Sequence, residues 1–218
     1  MNIQTIHTSD IIPICLNSLL YKTETNIAKL CSEKGDVMGF KRFRNYSLKR
    51  KLVLNSLMWS KKLKCWTDYN YKTKMLNDQH FYITNLSPLF NDIKPPKYRV
   101  KEIIEKHICP ISNMTGVPFS FTSSNEQWDA SNIWAPVQYD VIMLLEKVNK
   151  ELALNFAKKF FKTVYTGYLK TGMIFEKYSS SEIGERGSGG EYLVQSGFGW
   201  TNGTLMSLIK LFGDKLIE

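Results

Sequence analysis

The chain has 218 residues, of which 43% are hydrophobic and 13% are aromatic. It can bury a core as one domain, and it is too rich in aromatic residues for a disordered protein. Its 29 lysines and arginines against 20 acidic residues give a net charge of +9, but these basic residues are scattered, so we expect no nucleic-acid partner.

The apolar runs are too short to cross a bilayer, so we expect no membrane segment in this chain. Residues 1–20 lack a basic stretch followed by an apolar one, and we expect no export signal in the chain as printed. Its location stays open, because four N-x-S/T sequons would suit an extracellular full-length parent.

Cysteines and histidines are few and far apart. The cysteines at positions 15, 31, 65 and 109 form no CxxC pair, and free thiols or two disulfides are both open. Neither they nor the three histidines have the spacing of metal ligands. We therefore expect no metal site and no cofactor.

In chain order, the first predicted elements are two long helices. Residues 11–34 carry apolar residues at helical spacing, and Gly35 is a suitable stop. We expect this stripe to be buried; it consists of Leu16, Leu19, Leu20, Ile27 and Leu30. Residues 37–62 repeat the pattern, and their basic cluster at 40–51 is expected to form a solvated helix face.

The rest of the chain continues as helices joined by loops. Residues 66–77 predict a hairpin or loop, and a helix is expected over about 98–107. After Pro136, two apolar-periodic runs predict a helical hairpin. A Gly/Ser-rich loop at 179–190 then precedes a last helix over about 202–215. The sequence therefore predicts an all-α array of helical hairpins.

Three loops combine aromatic, amide and carboxylate side chains, at residues 80–90, 116–136 and 172–202. Tryptophan faces cover the CH surface of a sugar ring, while carboxylates and amides pair with its hydroxyls. The glycine-rich loop and the residue after it carry three glutamates, and the loop lacks the Gly-Lys-Ser/Thr of a phosphate loop. These residues favour a carbohydrate ligand over a phosphate.

Three longer runs carry a family resemblance: "QWDASNIWAP" (127–136), "MIFEKY" (173–178) and "GGEYLVQSGFGWTNG" (189–203). In this order they resemble the motifs of the trehalases, inverting glycoside hydrolases that split α,α-trehalose into two glucose molecules. The resemblance implies part of an (α/α)6 toroid of helical hairpins with long active-site loops. It also implies that residues 1–218 are a single domain, the C-terminal part of a trehalase-like catalytic domain.

The resemblance also implies roles for particular residues. The glutamate of "EKY" is the general base in the family, which assigns that role to Glu176. The glutamate of "GGEY" holds the substrate there, which assigns substrate binding to Glu191. Trp128 is expected to stack on glucose, with Gln127 and Asp129 as hydroxyl partners or as scaffold. Trp134 and Pro136 are expected to anchor the next helix.

The family's general acid is an aspartate in a "GWDFSSRW"-like run, and the printed sequence has no such run. Protonation of the leaving group is worth about 10²–10⁴-fold, so we expect the chain alone to be nearly inactive. Three departures from the family pattern are Cys15 for the usual Asp, Ser131 for the usual Pro, and the interrupted glycine run "GERGSGG". The alternative function is a non-catalytic relative that binds sugar or a partner, and uncovered helical faces would allow self-association.

Overall fold

The computed structural model describes residues 7–96, 100–123, 126–190 and 192–217. The chain forms two compact units, residues 1–100 and 101–218. Each unit is described by itself, and the single domain expected from the sequence stays a prediction.

The first unit is built on a helical hairpin. Helix α1 spans Ile14–Glu33 and helix α2 spans Val37–Leu57. The chain reverses at Gly35, which has a φ of +74°, a backbone conformation that glycine adopts without strain. Asp36 then caps α2, since its carboxylate accepts a hydrogen bond from the backbone N–H of Gly39 at 2.8 Å. The predicted pair of long helices is confirmed, although α2 ends five residues before position 62.

Short strands and one short helix complete this unit. The strands are β1 (Ile11–Ile12), β2 (Trp59–Ser60), β3 (Cys65–Trp66), β4 (Tyr69–Asn70) and β5 (Met75–Leu76). They form two small antiparallel sheets, in the orders β1-β4-β5 and β2-β3, and β4 with β5 is the hairpin predicted within residues 66–77. Helix α3 spans Ser87–Phe90. Trp66 lies in the core, where its indole N–H donates to Asn55 at 2.9 Å.

The second unit contains a second long hairpin. Its elements are α4 (Val100–His107, beginning at the unit boundary), β6 (Asn132–Trp134), α5 (Ala135–Val148), α6 (Lys150–Thr171), β7 (Lys177–Ser179) and α7 (Gly199–Phe212). Asn149 separates α5 from α6 and caps α6 through the N–H of Leu152. Phe156 and Phe160 of α6 are buried in the core. The predicted α5–α6 hairpin is confirmed, and α7 begins three residues earlier than predicted.

The predicted burial of the leucine stripe on α1 is wrong for most of its members. Leu16, Leu19, Leu20 and Leu30 are between 39% and 59% exposed. The buried residues of α1 are Ile14, Ser18 and Ala28. At about 100° per residue, these three fall on the opposite side of the helix from the leucines. The core therefore lies against the less apolar face of α1.

The basic cluster of α2 is solvated, as expected, for Lys41, Arg42, Arg44 and Lys49. Apolar residues of α2 are exposed as well: Val37, Met38, Tyr46, Leu48, Leu52, Val53 and Leu57. The α1–α2 hairpin thus presents large apolar side chains on both of its helices.

All four cysteines are free thiols, so of the two alternatives left by the sequence the fold adopts the first. No helix within the described residues has the length and hydropathy needed to cross a membrane. Over the same residues, no group of three or more His, Cys, Asp or Glu side chains is placed to hold a metal ion.

The apolar surface of the α1–α2 hairpin makes the behaviour of the 218-residue chain predictable. We expect the chain to bind a hydrophobic dye and to self-associate, because monomers seldom expose apolar patches larger than roughly 300–600 Å². The double variant Leu16→Gln/Leu19→Gln should bind less dye and associate less, as measured by dye fluorescence and sedimentation.

The matched control is Thr23→Gln/Asn26→Gln, which alters two exposed polar residues of the same helix. This control should behave like the unmodified chain. A cooperatively melting monomer that binds no dye would contradict the prediction.

Candidate active site

A short antiparallel ribbon brings two of the sequence motifs together in the second unit. Strand β6 pairs with β7, with Trp134 opposite Lys177 and Asn132 opposite Ser179. Ser180 extends the pairing, since its hydroxyl donates to the carbonyl of Ala130 at 2.6 Å. The tryptophan motif and the "EKY" motif therefore lie side by side, although about 45 residues separate them in sequence.

Glu176 stands at the end of this ribbon, immediately before β7. Its N–H donates to the carbonyl of Gln195 at 2.9 Å. Its own carbonyl accepts a hydrogen bond from the indole N–H of Trp200, also at 2.9 Å. A second contact to α7 comes from Thr201, whose hydroxyl donates to the carbonyl of Phe175 at 2.8 Å. These bonds fix the backbone from which the Glu176 side chain projects.

The carboxylate of Glu176 is buried, with the residue only 4% exposed. Its Oε1 accepts a hydrogen bond from the Tyr192 hydroxyl at 2.9 Å. Its Oε2 is buried and accepts no hydrogen bond from the described residues. A buried carboxylate oxygen without a partner is costly, so it is found mainly where a ligand or a reaction uses it.

The hydrogen bond to Glu176 also affects Tyr192. Burial raises the pKa of the Tyr192 hydroxyl, and the hydrogen bond to Glu176 and the charge of that carboxylate raise it further. The tyrosine therefore keeps its proton at neutral pH and acts as a donor. One carboxylate oxygen is held in place, and the other has no hydrogen-bond partner among the described residues.

Three tryptophans form a continuous cluster, and one of them, Trp200, bonds the backbone of Glu176. Trp128 stacks on Trp134 with ring centroids 4.0 Å apart and an interplanar angle of 18°. Trp134 is buried at the start of α5, where Pro136 also lies, as predicted, and it meets Trp200 edge-on at 5.7 Å. Trp128 remains 39% exposed. Its indole is thus fixed by stacking and still accessible to a ligand.

The turn that carries Trp128 is closed by Asp129. The N–H of Asp129 donates to the carbonyl of Glu126 at 3.1 Å, and its Oδ2 accepts from the N–H of the same residue at 3.2 Å. Its carbonyl accepts from the N–H of Asn132 at 3.0 Å. Asp129 is buried. These contacts favour scaffold over hydroxyl partner, the two roles that the sequence leaves open.

Gln127 and the glycine-rich segment, residues 187–190, meet on the other side of this turn. Gly190 has a φ of +87°, and a Cβ there would lie 2.9 Å from the Cβ of Gln127. The Oε1 of Gln127 is buried and, among the described residues, finds no donor. Glu191 lies outside the described residues. Gln127 therefore offers a second buried acceptor in the unit that holds Glu176.

The glycine-rich segment also borders a cavity of about 450 Å³, lined by residues 186–190 and 192–194. Asn132 holds the segment, since its Oδ1 accepts from the N–H of Ser188 at 2.8 Å. A larger cavity of about 470 Å³ lies between α1 and α2 in the first unit, where Arg50 pairs with Glu24 at 2.7 Å. That cavity is mainly apolar, and the described residues around it carry no comparable buried carboxylate.

Sequence reasoning missed three residues of this site: Asn132, Lys177 and Tyr192. Each lies within a quoted motif, but the sequence does not indicate which residue it contacts. Tyr192 reaches Glu176 across 16 residues, and Asn132 reaches Ser188 across 56. Only the folded ribbon makes these pairs neighbours.

Close packing at Gly187 generates a stability prediction. A Cβ at Gly187 would collide with Oδ1 of Asn132 and lie 2.9 Å from Cγ of Lys177. We expect Gly187→Ala to lower the free energy of unfolding by about 1–3 kcal/mol through overpacking. Gly199→Ala is the control, because a Cβ at Gly199 meets nothing within 4 Å at the start of α7. It should be neutral or slightly stabilising in denaturant melts, and equal losses in both variants would contradict the prediction.

Comparisons with known proteins identify the family. The family model described as Trehalase matches residues 1–213. Among characterised relatives, the trehalase of Apis mellifera is 34% identical over 99% of this chain and 36% of its own length. The human trehalase is 33% identical over 97% of this chain and 37% of its own length. The chain therefore spans little more than a third of these relatives.

Solved structures show the fold. The neutral trehalase of Saccharomyces cerevisiae superimposes with a TM-score of 0.77 and 20% identity, covering 95% of this chain and 39% of that chain. A mannosylglycerate hydrolase of Thermus thermophilus gives a TM-score of 0.66 and 15% identity over 92% of this chain and 48% of that chain. The fold class is all-α, that of part of an (α/α)6 toroid, as predicted. The chain belongs to the trehalase family.

Proposed function

We propose that the protein containing this chain hydrolyses α,α-trehalose to two glucose molecules with inversion. Residues 1–218 form the C-terminal part of its catalytic domain and supply the general base, Glu176. The observation that carries this proposal is the Glu176 carboxylate, which is buried and has one oxygen held by Tyr192 and the other unpartnered. Membership of the trehalase family supplies the reaction class.

The proposed role of Glu176 follows from what inversion needs. One carboxylate must deprotonate a water molecule on one face of the sugar, while an acid about 6.5–9.5 Å away protonates the leaving oxygen on the other face. Tyr192 fixes Oε1, so Oε2 is the atom that would receive the proton of the water. Activated by this transfer, the water attacks the anomeric carbon, and the bond to the leaving glucose breaks as its oxygen is protonated. In this proposal the matched motifs supply the base of the reaction.

The proposed sugar contacts come from the turn and the glycine-rich segment. Trp128 presents an accessible indole that stacking on Trp134 holds rigid, which suits the CH face of a glucose ring. Gln127 supplies a buried amide oxygen that can accept from a sugar hydroxyl. Glu191 binds a further hydroxyl in this proposal. Asp129 contributes by holding the turn on which Gln127 and Trp128 stand.

Replacement of the base gives the direct test of the proposed function. In the protein at its natural length, Glu176→Gln should abolish trehalose hydrolysis, because an amide cannot accept the proton of water. Glucose release measures the reaction, and a thermal melt checks the fold. Glu182→Gln is the matched control, since Glu182 is an exposed glutamate of the same loop region. It should retain the parent rate.

Parental turnover in Glu176→Gln would remove Glu176 from the role of base. The alternative function, a non-catalytic sugar-binding relative, would be favoured if the unmodified protein at its natural length bound trehalose in calorimetry but released no glucose.

The two stacked tryptophans should differ in their effects. Trp128→Ala should raise KM and lower kcat/KM about tenfold, the loss expected for one aromatic platform of about 1.4 kcal/mol. Trp134→Ala removes a buried ring and should mainly lower stability, by about 3–5 kcal/mol. Kinetics and denaturant melts on both variants test the difference. An unchanged kcat/KM in Trp128→Ala would exclude this turn from the sugar site.

A further inference from the structure

Lys177 is a buried cation next to the proposed base. Its residue is 1% exposed, and a lysine so deeply buried is destabilising unless its ammonium group is satisfied. Its Nζ donates to the carbonyls of Ser188 at 2.8 Å and Gly189 at 3.1 Å. It also lies 5.1 Å from the centroid of the Trp134 ring, within the range of a cation–π contact. Two backbone carbonyls and one aromatic face thus surround the charge.

We propose that Lys177 is a positioning residue that fastens the glycine-rich segment 187–190, and thereby places Tyr192 against Glu176. The proposal rests on the proposed function of Glu176. It adds a role for a side chain that touches neither the reacting atoms nor the sugar.

The contacts around the segment show why Lys177 occupies a central position. The carbonyl of Lys177 accepts from the N–H of Gly187 at 3.0 Å, and its side chain reaches the next two carbonyls. Asn132, on the paired strand, holds the N–H of Ser188. After Gly190 the chain returns to Glu176 through the Tyr192 hydroxyl. The segment is thus bonded to Lys177 at Gly187, and the chain that follows it is bonded to the adjacent Glu176 through Tyr192.

The choice of a lysine at this position follows from the groups it meets. The carbonyls of Ser188 and Gly189 belong to exposed residues, so they can turn to water if their donor is removed. An apolar side chain at 177 would leave them without a protein partner and would favour a detached segment. Burial lowers the pKa of Lys177, and the charge of Glu176 opposes this shift. The neighbouring carboxylate thus helps to keep the ammonium group charged.

The experiment measures the hydrogen-exchange rates of the backbone amides in the segment, in the protein at its natural length and without substrate. Lys177→Met keeps the length of the side chain and removes its charge and donors. We expect the amides of Gly187 and Ser188 to exchange at least about tenfold faster, because the charge-assisted hydrogen bonds from Lys177 to the carbonyls of Ser188 and Gly189 would no longer hold the segment in place. The amides of α5 and α6 should keep their parental rates. KM for trehalose should rise in parallel if the protein is active.

Lys170→Met is the matched control. Lys170 is a half-exposed lysine that pairs with Glu185 at 2.6 Å, just before the same segment. Since surface ion pairs contribute little to stability, the exchange rates of the segment in Lys170→Met should stay within about twofold of the parent. If Lys177→Met does not fold, Lys177→Gln carries the same test with a shorter, neutral side chain.

The outcomes separate this proposal from the proposed function. Faster exchange confined to the segment supports the role of Lys177 even in a protein that hydrolyses no trehalose. Unchanged exchange in the segment overturns it, even if the protein is an active trehalase. Faster exchange throughout the second unit, or failure of both Lys177 variants to fold, would make Lys177 a general determinant of stability and would also overturn it.

Discussion

The pairing of β6 with β7 is the constraint on which the candidate site depends. Only three residues pair on each strand, yet the register sets Trp134 opposite Lys177 and leaves Glu176 at the end of the ribbon. The helical hairpin α5–α6, which ends at Gly172, lies between the two strands in the chain. A shift of one residue would turn each side chain to the opposite face. The register thus brings Trp134, Lys177 and Asn132 together, and Lys177 contacts both the Trp134 ring and the glycine-rich segment.

The same ribbon explains how a carboxylate can be buried with one oxygen unsatisfied. A buried acceptor without a partner costs about 1–3 kcal/mol, so the surrounding structure must prevent it from turning to water. The backbone of Glu176 is held by Gln195 and Trp200, and its Oε1 by Tyr192. These contacts leave the side chain no exposed alternative. Stability is given up at Oε2, and that atom is the one that would accept the proton in the proposed role of Glu176 as general base.

Local patterns in the sequence predicted the helices but not which of their faces are buried. Periodicity and Gly35 located the first hairpin, yet the leucines of α1 are exposed, because apolar spacing identifies a face without identifying its neighbour. The same limit of local patterns applies to the candidate site. Glu176 and Trp128 are assigned to the site through motifs that resemble those of the trehalases, and each motif is local in sequence. Lys177 and Tyr192 act through contacts set by the ribbon and the returning loop, and no local pattern encodes those contacts.

The interrupted glycine run shows how the fold accommodates a departure from the family pattern. Gly184, Gly189 and Gly190 all have φ above +70°, the region where a side chain is strained. Gly187 lacks a positive φ, but Asn132 and Lys177 leave no room for a Cβ there. The interrupting residues Glu185, Arg186 and Ser188 are not among the residues with positive φ, and all three are exposed. Side chains therefore enter the run at three positions where backbone and packing both accept them, and the contacts to Lys177 and Asn132 are retained.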